Sequence, residues 1–302
     1  GLDGTPYWTN REAIETQEVP ESMIVMGGGA IGVELSQVFA RFGCKVTIVE
    51  GADRIVAAEE PEASEVLAAV LQAEGIEIHT GHFVSKVTHS QRGFEVTVGD
   101  TVLTAQKLLV ATGRAPNSKE VGLDVLDVEL NHGYPPVDDH LRIVPGVYAV
   151  GDIAGKGAFT HMAMYHAGIV ERAILGQEGP GADYTAVSRV TFTDPELGSV
   201  GMSEQQARDA GLNVAVGLAQ VPSVSRGWIH KVGNEGIIKV VADADRGVLV
   251  GGTAMAYSGG EVLSGIAMAV RGQVPIATMK NMIYAYPTIW RGLENAVQAT
   301  GL

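Results

Sequence analysis

The chain has 302 residues, 46% hydrophobic and 19% charged, with a formal net charge of −14. That length makes two domains the prior, and the acidic balance argues against nucleic acid or an anionic membrane surface, both of which need a basic face. No apolar run reaches the roughly 18 residues of a membrane span, no signal-peptide pattern opens the chain, and Cys44 is the single cysteine, so a cytoplasmic protein with no internal disulfide is expected.

In chain order, residues 1–20 read as a turn-rich, polar linker. The apolar run from Met23 then enters Gly27-x-Gly29-x-x-Gly32 and a helical pattern over 30–42, and the next apolar run, 45–50, ends on Glu50. This is the form of a dinucleotide-binding βαβ unit. Gly27 permits a sharp turn, Gly29 lets backbone approach a pyrophosphate, and Gly32 lets helix pack close on strand. Ala30 and Ile31, inside the fingerprint, open a helix whose amides and dipole face the phosphates. Glu50 lies where a carboxylate accepts from an adenosine ribose hydroxyl and repels a 2′-phosphate, which favours NADH over NADPH. The other reading is a tight strand–helix turn with no ligand.

Pro61 starts a further helix that Gly75 ends. A short strand follows at 76–78. Alternation over 83–102 predicts a small antiparallel meander, and 106–111 a buried strand. The 131–144 stretch is turn-rich. A short buried strand at 147–150 runs into Gly151-Asp152, and a helix is predicted over about 159–175. From Tyr184 the period becomes that of strands, at 190–192, 214–221, 236–242 and 248–256. Ser203 and Gln206 form a capping box, Asp245-Arg-Gly247 a hairpin turn, and helices near 261–271 and 289–298 close the chain. Strands in a run with terminal helices suggest an α+β domain. Cys44, between helix and strand, reads as an inert small hydrophobe. The eight histidines are scattered, so no metal site is expected. Trp8, Trp228 and Trp290 read as packing residues, and Arg54 as either an adenosine-phosphate contact or a solvated side chain.

Taken together, the motifs resemble the pyridine nucleotide-disulfide oxidoreductases, the two-dinucleotide flavoprotein family that includes lipoamide dehydrogenase, glutathione reductase and mercuric reductase. The matching pieces fall in family order. They are Gly27-Gly-Gly-Ala-Ile-Gly32-Val-Glu34, Leu109-Val-Ala-Thr-Gly-Arg-Ala-Pro-Asn117, Val147-Tyr-Ala-Val-Gly-Asp152 with Phe159-Thr-His-Met-Ala163, Phe192-Thr-Asp-Pro-Glu-Leu-Gly-Ser-Val-Gly201, and Tyr286-Pro-Thr288. The resemblance implies a Rossmann-like α/β NAD-binding domain over 21–113, the C-terminal part of an FAD-binding domain over 114–183, and an α+β interface (dimerisation) domain over 184–302. It places Glu34 near the nicotinamide carboxamide, although a carboxylate near a helix start is also favoured by the dipole alone. It makes Gly113 a backbone contact to the nicotinamide half. It assigns FAD to Gly151, Asp152, Thr160, His161, Met162 and Ala163, with Asp152 accepting from a ribityl hydroxyl and the following helix aimed at the flavin pyrimidine ring.

Two departures qualify it. In the family an N-terminal segment carries a first glycine fingerprint and the paired redox cysteines, and Gly1-Leu-Asp-Gly resembles the stretch after that segment. The chain is therefore expected to be the C-terminal part of a longer enzyme, with FAD bound by the full-length parent. The family's acid–base pair is a His before the Pro and a Glu shortly after; here Tyr286 and Arg291 hold those positions. Histidine exchanges protons near neutral pH and a phenol does not. The resemblance thus implies an NADH-dependent flavoprotein oxidoreductase, a homodimer that passes electrons from flavin to a quinone, a metal ion or another small acceptor. The other reading of Tyr286 is packing at a dimer interface. The alternative for the whole chain is an inactive NAD-binding and dimerisation module.

Overall fold

A computed structural model describes residues 1–118 and 121–302. By packing they form two units, residues 1–112 with 186–302 and residues 113–185.

The first unit opens with α1 (Asn10–Glu15). Thr9 caps it, and Glu12 reaches back to the Thr9 amide at 2.7 Å. The expectation of a plain linker over 1–20 is corrected here. Thr9-x-x-Glu12 is a capping box, and Trp8 exchanges backbone hydrogen bonds with Leu108 and Val110 at 2.7 and 2.8 Å. Next come β1 (Ser22–Met26), α2 (Ala30–Arg41), β2 (Lys45–Val49), α3 (Pro61–Ala73) and β3 (Glu77–His79). A meander of β4 (Val84–Ser90), β5 (Gly93–Val98) and β6 (Thr101–Ala105) leads to β7 (Lys107–Val110). β3, β2, β1 and β7 form a parallel sheet in that order.

Both faces of that sheet are covered, as a parallel sheet requires. Met23 and Val25 of β1 pack with Val33 and Phe39 of α2 and with Leu67 and Leu71 of α3. Ile24, one residue out of phase, faces the other way and packs with Leu108, Val49 and the meander residues Phe94 and Val96. Each such buried side chain stabilises by about 1.5–3 kcal/mol. With β1 inside the sheet, its carboxyl end opens directly onto the Gly27 loop, the edge where ligands of open α/β sheets gather.

The second unit holds β8 (Arg142–Val144), β9 (Val147–Tyr148) and the 15-residue α4 (Thr160–Ile174). Leu141, Ala149, Ala154 and Ile169 form its small core. The strand expected over 147–150 is limited to Val147–Tyr148; Ala149 still donates its amide to Leu141 at 3.0 Å, and Gly151 then starts a 3-10 turn through Ala154.

The chain then returns to the first unit with β10 (Ser188–Thr191), β11 (Glu196–Gly201), α5 (Glu204–Asp209), β12 (Val214–Gln220), α6 (Ser225–His230), β13 (Ile237–Asp243), β14 (Val248–Ala256), α7 (Gly259–Arg271), α8 (Ile276–Lys280) and α9 (Arg291–Ala299). The sheet is antiparallel in the order β10-β11-β14-β13-β12. α7 lies on β11 and β14, and α9 on β12 and β13. β11, α6 and α8 were not foreseen. β11 contains Gly198 and Gly201, which dilute its strand pattern, and the two helices are too short to show a period.

Candidate functional site

The fingerprint glycines occupy unlike environments. Gly27 has φ +103°, and a Cβ there would lie 2.5 Å from the Ala111 carbonyl oxygen. A Cβ at Gly32 would run into the carbonyl oxygen of Gly27, so α2 sits close on the loop only because Gly32 has none. Gly29 differs: a Cβ there would meet nothing within 4 Å, and the residue is exposed. Gly29 is the N-cap of the 12-residue α2 and supplies no side-chain cap. The amides of Ala30, Ile31 and Gly32 follow in the first turn, where no carbonyl lies four residues back within the helix. The loop thus offers backbone donors at an unobstructed helix start.

Glu50 directly follows β2 beside this loop. Its Oε2 accepts from the Gly28 amide at 2.6 Å and its Oε1 from the Ala52 amide at 2.8 Å. The carboxylate is therefore fixed at the mouth of the turn. Val56 donates its amide to Gly28 at 2.8 Å, which ties the 51–60 stretch to the same loop. Arg54 braces that stretch internally through Ala57 and Glu59 carbonyls at 2.8 and 3.1 Å.

Glu34 lies in the second turn of α2, and its Oε1 accepts from the Phe192 amide at 2.7 Å. Burial raises its pKa although that hydrogen bond works the other way. It joins α2 to the turn between β10 and β11, a use the sequence did not suggest. Cys44 is buried, and burial pushes its thiol up to about 11, which suits an inert thiol. Among the described residues no helix is long and apolar enough to cross a membrane, and no group of three or more His, Cys, Asp or Glu is placed to hold a metal.

In the second unit, Gly113 takes φ +144° in open surroundings. Gly151 has φ +72°, and a Cβ there would approach the Ala163 Cβ to 3.2 Å, so this turn lies against the start of α4. Asp152 is half-exposed and pairs with Arg114 at 3.1 Å. α4 begins at Thr160 without a side-chain cap. Met162 is buried, while His161 is exposed and stacks on Phe159 with ring centroids 5.1 Å apart.

Two residues here were missed from sequence. His166 is fully buried; its Nδ1 accepts from the Gly151 amide at 3.1 Å, and its Nε2 lies 3.2 Å from the Tyr184 hydroxyl. That amide can only donate, so the neutral ring carries its proton on Nε2, and burial lowers its pKa. The signal was present, since Met162, His166 and Ile169 share one helical face. In the first unit, Lys239 is 2% exposed within the apolar strand β13 and pairs with Glu60, Glu62 and Glu204 at 2.9, 2.8 and 2.9 Å. Burial opposes its charge, but the three carboxylates outweigh that and raise its pKa. A lysine inside an unbroken apolar run was the clue.

Tyr286 is 67% exposed, and the guanidinium of Arg291 lies 5.7 Å from its ring centroid. Arg291 also pairs with Glu294 at 3.2 Å.

Residues 1–167 match the family described as pyridine nucleotide-disulphide oxidoreductase, and residues 187–297 match that family's dimerisation domain. Dihydrolipoyl dehydrogenase of Chlorobaculum tepidum is 36% identical over 97% of this chain and 64% of its own length. Mercuric reductase of Acidithiobacillus ferrooxidans is 33% identical over 99% of this chain and 54% of its own length. Among solved structures, the HOCl-induced flavoprotein disulfide reductase RclA from Escherichia coli superposes with a TM-score of 0.89 at 26% identity, over 99% of this chain and 69% of that one. The chain thus spans 64% and 54% of the length of these two curated relatives.

Proposed function

Because this chain belongs to the pyridine nucleotide-disulphide oxidoreductase family, we propose that it carries the nicotinamide-nucleotide site and the dimer-forming part of an NADH-dependent flavoprotein oxidoreductase. The observation that carries this reading is the uncrowded Gly29 at the start of α2 with the Glu50 carboxylate held beside it. The Gly27–Gly32 loop, with Ala30 and Ile31, binds the pyrophosphate through its amides. Glu50 accepts from the ribose hydroxyls and disfavours a 2′-phosphate, so NADH is bound in preference to NADPH. Glu34, on the helix that follows the loop, contributes to the nicotinamide half.

The residues proposed for FAD fit a group of that kind. Gly151 gives a close turn, Asp152 offers a half-exposed carboxylate, and the uncapped start of α4 spanning Thr160, His161, Met162 and Ala163 favours negative charge. When bound there, FAD would supply the two-electron redox chemistry of the reaction. Tyr286 beside Arg291, in place of an imidazole beside a carboxylate, supports a small acceptor other than a dithiol. After residues 1–20, the same proposal divides the rest of the chain into an NAD-binding domain (21–113), an FAD-binding part (114–183) and a dimerisation domain (184–302), working as a cytoplasmic homodimer with no nucleic-acid or membrane partner.

A second reading is an NAD-binding and dimerisation module without turnover. The visible spectrum of the purified chain separates the two. A flavin band near-stoichiometric with protein supports the first, and a colourless protein that still binds NADH supports the second. Equal affinity for NADH and NADPH overturns the role given to Glu50.

A further inference from the structure

Phe83 leaves 82% of its surface exposed although it is a large apolar ring. The ring is nonetheless held in place. It lies over the backbone of Gly51, where a Cβ would come within 2.6 Å of its Cδ1 and 2.8 Å of its Cζ. Two backbone hydrogen bonds tie the stretch after β3 to the stretch after β2: Glu50 N–H to the His79 carbonyl at 2.8 Å, and Gly81 N–H to the Ala52 carbonyl at 2.6 Å. The ring therefore stands at the carboxyl end of the parallel sheet, over the residue that follows Glu50.

We propose that Phe83 is the stacking platform for the adenine of the bound dinucleotide. The inference rests on Glu50 as the ribose acceptor and adds what lies beyond the ribose. A nucleotide whose pyrophosphate sits on the Gly29 loop after β1, and whose ribose is gripped at the end of β2, places its base toward β3. There the structure offers an aromatic face with no protein cover. A purine presents a flat π-surface that gains from such a face without needing hydrogen-bond readout. Gly51 is part of the device, because any side chain there would push the ring from its seat. The chemistry selected is an adenosine diphosphate group, shared by NADH and ADP-ribose.

The test is calorimetric titration of the full chain, as wild type, F83A and F83W, with ADP-ribose, NADH and nicotinamide mononucleotide. Base–aromatic stacking corresponds to about a 5- to 100-fold change in affinity. F83A is expected to lose that much for ADP-ribose and NADH and nothing for nicotinamide mononucleotide. F83W is expected to bind as the wild type, with its added indole emission quenched by ADP-ribose. Equal ADP-ribose affinity in wild type and F83A, or unchanged F83W emission at saturation, overturns the stacking role and leaves the dinucleotide site standing. A wild-type chain that binds neither NADH nor ADP-ribose overturns the dinucleotide reading itself. Because the ring is exposed, neither substitution threatens the fold.

Discussion

Gly29→Ala and Gly32→Ala should separate binding from folding. Gly29 has φ −74° and ψ −177°, a conformation any residue adopts, and no atom lies within 4 Å of where its Cβ would be. Alanine is a poorer N-cap than glycine by roughly 0.5 kcal/mol, and its stiffer unfolded chain returns a similar amount. The variant should therefore unfold within about 1 kcal/mol of wild type, a shift of no more than about 2–4 °C. Gly32 is the opposite case. A Cβ there meets the Gly27 carbonyl oxygen, a backbone atom that cannot swing aside. Overpacking of this kind costs about 1–3 kcal/mol or more, against a gain of about 1 kcal/mol in helix propensity, so a net loss remains. For binding the order reverses. The Gly29 methyl would occupy the space where the pyrophosphate approaches, and NADH affinity should fall at least about tenfold, or 1.4 kcal/mol. Thermal melting and equilibrium NADH titration of the purified chain read both quantities. A Gly29→Ala protein that melts like wild type and binds NADH unchanged would refute the claim that this loop cradles phosphate.

Removing the carboxylate in Glu50→Ala should bring NADH and NADPH affinities within about threefold of each other. The wild type should prefer NADH by about tenfold or more, since like charges a few ångströms apart near a protein surface repel by a few kcal/mol per unit charge; competitive titration decides. The pKa of His166 is lowered in the folded state, so the unfolded chain binds the proton more readily. The stability His166 contributes is complete above its ordinary pKa of about 6.5 and is lost as pH falls through that value toward the folded one. Melting temperature should therefore rise with pH over that window, and His166→Gln should flatten the rise; an unchanged slope refutes the buried neutral ring. Lys239→Met leaves the buried Glu60 uncompensated and should cost about 3–5 kcal/mol in denaturant unfolding. Glu60→Gln added to it should recover part of that loss, and purely additive losses would refute the pairing.

How far the residues alone reached depended on how local each signal was. The Gly27–Gly32 loop was legible because strand, turn and helix are contiguous and each glycine has a backbone reason. Pro61 and the Ser203–Gln206 capping box located α3 and α5 for the same kind of reason. The capping box at Thr9 was equally local, but it was hidden by the polar, turn-rich stretch around it. β11 was obscured by its glycines; Gly198 belongs there because α7 packs directly over it, and Gly201 because its φ is +68° and a Cβ would meet the Val250 carbonyl. Glu34 could be read as a helix charge or a ligand contact; its bond to Phe192 spans 158 positions, and no pattern within one helix predicts it.

By itself, the sequence determined the order of most elements, the glycine loop after β1 and the acid after β2, because turn chemistry and hydrophobic period act over a few neighbouring residues. Only the tertiary structure decided that residues 1–112 and 186–302 pack as one unit, that Lys239 gathers three carboxylates, that His166 supports the Gly151 turn, and that Phe83 is left uncovered above Gly51. Each of these joins residues remote along the chain. Such pairings arise when separate surfaces bury each other and their polar groups find partners, an outcome of packing that no local pattern records.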